Sequence, residues 1–157
     1  MDILELYVKP FVKSTLHTFK DFVGMDLVVG NPHFSGRTLV FDRDISAVIG
    51  LSGAVRGAVV VSLQRKFALE ITGKLIGSEP ADLDDDVVDA IGEIVNIIAG
   101  NIKQYVEGGE QIVISLPTIV KGKGHKFAWP GKSSRILCVS FKHGNDAFFL
   151  LADMVKA

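Results

Sequence analysis

Residues 83–107, LDDDVVDAIGEIVNIIAGNIKQYVE, hold the longest helical pattern in the chain. Advanced by about 100° per residue, Val87, Val88, Ile91, Ile94, Val95, Ile98, Ile102, Tyr105 and Val106 fall on one broad apolar face. A face that wide suits a helix lying against a sheet. The acids of DLDDD complement the positive end of the helix dipole, and Gly108-Gly109 closes the pattern.

The neighbouring segments supply the sheet. Residues 41–63, FDRDISAVIGLSGAVRGAVVVSL, read as a β-hairpin turning at Leu51-Ser52-Gly53-Ala54. FALEITGKLIG follows as a short amphipathic helix with Phe67, Ile71 and Leu75 in register and a stop at Gly77. Beyond the long helix come IVISLPTIVKG, a basic loop around His125, and a second hairpin, ILCVSFKHGNDAFFLLADM. Near the N-terminus, the segment 4–23 reads as a helix after Pro10, carrying Phe11, Val12, Thr15, Leu16, Phe19 and Phe22 or Val23. MDLVVG then forms a short strand ending at Gly30-Asn31-Pro32.

The two hairpins have similar surroundings. Gly53 lies eight residues after Ile45, and Gly144 eight after Ile136. Each hairpin follows a long helix and a short strand. Two helix–strand–hairpin halves predict an α+β fold: one antiparallel sheet with long helices packed on one face, in a single domain spanning 1–157. The short helix after the first hairpin has no twin.

Composition narrows the function. At 48% hydrophobic, the 157-residue chain is not disordered. A net charge of −1 argues against phosphate-driven nucleic-acid binding. Lys121, Lys123, Lys126, Lys132 and Arg135 around Trp129 read as a solvated hairpin loop. No apolar run reaches the ~20 residues of a membrane span, and MDILELYVKP lacks the basic start of a signal peptide, so a soluble, cytoplasmic protein is expected. The lone Cys138, in the apolar run RILCVSF, reads as a buried, inert thiol. His17, His33, His125 and His143 lack metal-ligand spacing, so no metal site is expected. GLSGAVRG is not followed by the Lys-Ser/Thr of a phosphate loop, and DLDDD lacks the spacing of a calcium loop.

The long helix also has an unusual outer face. Asp86, Asp89, Glu93, Asn96, Gly100, Lys103 and Glu107 recur there in steps of three and four. Glu93 and Asn96 are thus neighbours one turn apart. Each glycine inside the helix costs about 1 kcal/mol relative to alanine. Nothing in core packing asks for Gly100, whereas a glycine on the outside lets another chain come close. Gly92, at the flank, either clears the same approach or serves packing. Ile97 lies beside Glu93, where an isolated helix would prefer a polar residue. Asp89, Gly92, Ile97, Gly100 and Lys103 therefore outline a docking face around Glu93 and Asn96. A carboxamide has no useful pKa, but it donates and accepts at once and so can orient water. A carboxylate can pair with a partner's lysine. The pair can position water at an electrophile supplied by a partner, and phosphoryl hydrolysis through a loose transition state asks for little more.

The frame D-A-x-G-E-x-x-N-x-x-x-G-N over residues 89–101, followed by S-x-P-T-x-x-x-G from Ser115, resembles the CheC/CheX/FliY phosphatases of bacterial chemotaxis. VKPFVKSTLHTF and DISAVIGLSGAVRGAVVVSL resemble the N-terminal helix and first hairpin of the CheX type. The resemblance implies hydrolysis of the phosphoaspartate of a CheY-type response regulator, with Glu93 and Asn96 as the catalytic pair. Asn96 matches the amide that orients the attacking water, and Glu93 the acid that engages the regulator's active-site lysine. It implies no cofactor on this chain, because Mg²⁺ belongs to the regulator's acidic pocket. The N-terminal helix, KPFVKSTLHTFKDFVG, carries no second E-x-x-N. A single motif fits the CheX type, which implies a homodimer built by extending the sheet. The alternatives are a non-catalytic receiver-binding module, or a phosphatase for a regulator outside chemotaxis.

Overall fold

The computed structural model describes residues 8–35, 38–40, 43–106, 108–128 and 136–156. The elements run α1 (Lys9–Thr18), β1 (Val28–Val29), β2 (His33–Ser35), β3 (Thr38–Val40), β4 (Ile45–Gly53), β5 (Val55–Leu63), α2 (Arg65–Ile76), α3 (Asp85–Ile102), β6 (Ile112–Ile114), β7 (Thr118–Lys121), β8 (Lys126–Ala128), β9 (Ile136–His143) and β10 (Asp146–Lys156). The strands form an antiparallel eight-stranded sheet in the order β1-β9-β10-β5-β4-β6, with β2 also on β9 and β7 also on β4. β3 and β8 make a separate ribbon.

Alternation along the central strands builds the core. Ala47 and Ile49 of β4, Val59 and Val61 of β5, Leu137 and Val139 of β9, and Phe148 and Leu150 of β10 join one buried cluster with Phe11, Phe67, Ile91, Ile94 and Ile98 of the helices. Phe148 stacks between Phe19 and Phe141, with ring centroids 5.0 and 5.3 Å away. The helices thus lie on one face of an antiparallel sheet, as the sequence predicts. Val60, Ile136, Cys138 and Leu151 form a smaller buried cluster in the alternate strand positions. Burial pushes the Cys138 thiol up to about 11, which fits the inert reading. Among the described residues, no helix is long and apolar enough to cross a membrane.

The strand pairings have a simple symmetry. Exchanging each strand with the one five places later leaves every pairing unchanged. α1 and α3 occupy equivalent places before the two sets of strands and pack against each other: Ser14 Oγ donates to the Ile98 carbonyl at 2.6 Å, and Asn101 Nδ2 to Thr18 Oγ1 at 3.2 Å.

Element boundaries differ from the sequence reading in three places. α3 covers Asp85–Ile102 rather than 83–107. The chain turns sharply after it, because Gly109 lies too close to the Lys103 carbonyl to carry a Cβ. Tyr105 therefore leaves the apolar face and is exposed, with Lys13 Nζ 5.9 Å from its ring centre; Glu107 lies outside the described residues. The N-terminal helix is α1, which starts at Lys9 beside the Pro10 expected to open it, followed by a π-helical turn, Phe19–Val23, which stops at Gly24 with φ +80. IVISLPTIVKG is two strands, β6 and β7, because Pro117 has no N–H to give a ladder. Trp129, Lys132 and Arg135 of the basic loop lie outside the described residues.

Candidate functional site

α3 starts at a true cap. The Asp84 carboxylate accepts from the Val87 N–H at 3.1 Å, and Asp85 and Asp86 occupy the first turn. The segment ahead of it is tied to the body. Lys121 Nζ donates to the Leu83 carbonyl at 3.2 Å, and Arg65 donates to the Ala81 carbonyl. The Asp82 carboxyl is held below its ordinary range by the Leu83 N–H, with help from Arg65. The helix carrying the candidate residues is thus fixed at its N-terminus as well as along its buried face.

Glu93 and Asp89 are exposed, and Asn96, Ile97, Gly100 and Lys103 are half-buried. All six remain on or beside the outer stripe. Among the described residues, neither Glu93 nor Asn96 makes a side-chain hydrogen bond or ion pair. Both polar groups are therefore free to meet a partner. A Cβ on Gly100 would have no heavy atom within 4 Å, so the helix backbone is open there. Lys103 is the C-cap residue and keeps a helical backbone, with φ −57 and ψ −26.

Gly92 does not line this face. It is buried, and a Cβ there would stand 3.4 Å from Pro117 Cγ and 3.6 Å from Ile119 Cδ1. Of the two roles left open by the sequence, packing is the one its surroundings fit: position 92 faces the β6–β7 segment, where even a Cβ would make ordinary van der Waals contact. Asn101 also turns inward, toward Thr18 on α1.

These contacts define two banks. On one side of the outer stripe stands the β6–β7 loop, through Pro117. On the other stands α1, through Ser14 and Thr18. The acids Asp86, Asp89 and Glu93 give α3 a negative outer face, while α1 exposes Lys9 and Lys13, and the turn after it Lys20. A partner presenting a lysine opposite α3 would be attracted to it. The loop Ser115-Leu116-Pro117 is the part of the site that residue patterns along α3 did not reveal. Its only sequence signal is the S-x-P-T frame after the motif helix.

The family model for the chemotaxis phosphatase CheX matches residues 45–142. The CheY-P phosphatase CheX of Thermotoga maritima is 28% identical over 121 residues, covering 76% of this chain and 77% of that protein. Among solved structures, the chemotaxis protein CheX from Vibrio vulnificus has a TM-score of 0.84 at 27% identity, covering 94% of this chain and 98% of that one. A CheC-like superfamily protein from Shewanella sp. PV-4 has a TM-score of 0.86 at 25% identity, covering 99% of both chains. A CheX–CheY–BeF3–Mg²⁺ complex from Borrelia burgdorferi shares the fold, with a TM-score of 0.74 at 21% identity over 96% of this chain and 98% of that one.

Proposed function

This chain belongs to the CheX family of chemotaxis phosphatases, and from that premise we propose that it hydrolyses the phosphoaspartate of a CheY-type response regulator. The observation that carries the reading is the pair Glu93 and Asn96, one turn apart on the outer face of α3 with no side-chain partner among the described residues, next to open backbone at Gly100.

In this mechanism α3 docks over the phosphorylated pocket of the receiver. The Asn96 carboxamide accepts a hydrogen bond from a water and holds its oxygen in line with the acyl phosphate. The water oxygen forms a bond to phosphorus as the bond to the aspartyl oxygen breaks. Inorganic phosphate and a free carboxylate result, and the water's proton passes to phosphate or solvent. Glu93 pairs with the receiver's active-site lysine and fixes the register of docking. Mg²⁺ sits in the receiver's acidic pocket, where it neutralises charge on the phosphoryl oxygens. Such an activity ends a signal, and it belongs in the cytoplasm with its substrate; recovery of the activity in the soluble cell fraction checks this.

The test is acyl-phosphate decay on a purified receiver domain with Mg²⁺. Asn96→Ala is expected to lower kcat on the order of 10²-fold, the usual cost of losing one positioned polar group in a transition state, with KM little changed. Glu93→Ala is expected to raise KM and lower kcat together, since an interfacial charge pair is lost. Wild-type turnover by Asn96→Ala would leave a receiver-binding module. Hydrolysis confined to receivers outside chemotaxis would move the same chemistry to another pathway.

A further inference from the structure

The β6–β7 loop holds Leu116, which at 86% exposure is the most solvent-exposed large apolar side chain among the described residues. A single exposed leucine needs no explanation by itself. Its place and its rigidity do. Lys121, at the far end of β7, reaches the Leu83 carbonyl just before α3, and Pro117 and Ile119 meet α3 at Gly92. Tracing back from Lys121 to Pro117 therefore advances along α3 from its N-terminus. The next residue back, Leu116, adjoins Pro117, which packs at Gly92, one turn before Asn96.

The loop is held on both sides. Ser115 N–H donates to the Gly50 carbonyl at 2.9 Å, and the Gly50 N–H donates to Ser115 Oγ at 2.9 Å. Ser115 Oγ donates to the Leu116 carbonyl at 3.0 Å. Pro117 restricts the backbone of the residue before it. Leu116 is thus presented to solvent by a braced turn. On the opposite bank, about 100° around the helix from Asn96, half-buried Ile97 lies toward α1. Ile97 on one bank and the loop that carries Leu116 on the other flank a stripe whose middle is Glu93, Asn96 and the bare backbone of Gly100. Apolar contacts around a polar centre are the anatomy of an interface that excludes bulk water from its core.

We propose that Leu116 is the apolar anchor of the docking face, burying itself against an apolar patch beside the phosphorylated pocket of the receiver domain and sealing the Asn96 side of the site. The inference rests on the phosphatase reading, which supplies the occupant. Leu116 touches no reacting atom. It sets affinity, while Asn96 sets turnover.

The experiment compares wild type, Leu116→Met, Leu116→Asp and Asn96→Ala. It measures steady-state hydrolysis of the phosphorylated receiver, and Kd for the same receiver loaded with beryllofluoride and Mg²⁺. Leu116→Asp is expected to raise KM and Kd at least tenfold, the lower end of what burying a leucine contributes. Its kcat should stay within about twofold of wild type, because no transition-state contact is lost. Leu116→Met should bind like wild type. Wild-type KM and Kd in Leu116→Asp, with wild-type protein active, overturn the anchor and leave the phosphatase standing. Loss of kcat at unchanged Kd also overturns it. Wild-type protein that neither binds nor speeds decay overturns the phosphatase reading, and the anchor with it.

Discussion

At position 100 a side chain would meet nothing within 4 Å, so the core does not require the glycine there. Position 92 is the reverse case, with Pro117 at contact distance. Two identical residues on one helix therefore have opposite surroundings, one facing outward and one inward. Gly100→Leu is expected to keep or raise Tm, because leucine is the better helix former by roughly 0.8 kcal/mol. It should raise KM for the phosphorylated receiver at least tenfold by holding the partner off, an effect as large as losing an anchor contact. Normal KM in that variant would remove the close-approach role of Gly100. Glu93 and Asn96 make no side-chain hydrogen bond or ion pair among the described residues, so both are open to a partner.

At the scale of elements, α3 is a beam fixed on three sides. Its cap and first turn, the ties from Lys121 and Arg65, and the Ser14 and Asn101 contacts to α1 all oppose rotation of the outer stripe. The β6–β7 loop closes the remaining side through Pro117. Gly92→Ala is expected to fold like wild type, since its Cβ would stand at van der Waals contact and alanine adds about 1 kcal/mol of helix propensity. Gly92→Leu should lower Tm by several degrees, the usual consequence of overpacking by roughly 1–3 kcal/mol. It should also displace the loop, raising KM as well. A Gly92→Leu protein as stable as wild type would show that the loop is not seated on the helix. Much of this was legible in the sequence. The 3.6-residue period separated core from stripe because a helix repeats its faces whatever it packs on. The end of α3 was not legible, because Tyr105 and Val106 stay in phase; the close turn at Gly109 and the ring contact with Lys13 decide it.

For the whole molecule, the sheet has two ends, and the β1 end is short and apolar. Val28 is 69% exposed there, beside a shallow groove of ≈ 320 Å³ lined by Val8, Val12, Val29 and Pro32. An edge strand with apolar side chains is open to pairing, and a second copy extending the sheet fits it. The protein is expected to run at twice its chain mass in solution by light scattering, and Val28→Lys to shift it toward the monomer. A monomer in the wild type at all working concentrations would remove the dimer. The sequence anticipated the hairpins and the side of the sheet the helices cover, since alternation in strands and period in helices are local. It missed β2, β3 and β8, which are three residues each and carry too few positions for a period to show.

What the sequence determined by itself is the frame of the protein: an α+β fold, a helix with one apolar side, and a polar pair presented on the other. Those follow from periodicity, which depends only on the order of residues. Tertiary structure alone decided which glycine is buried against the β6–β7 segment and which leaves the backbone open, and that the loop carrying exposed Leu116 packs on α3 through Pro117. Such facts depend on segments far apart in the chain meeting at van der Waals distance, and no spacing along α3 encodes the approach of Pro117.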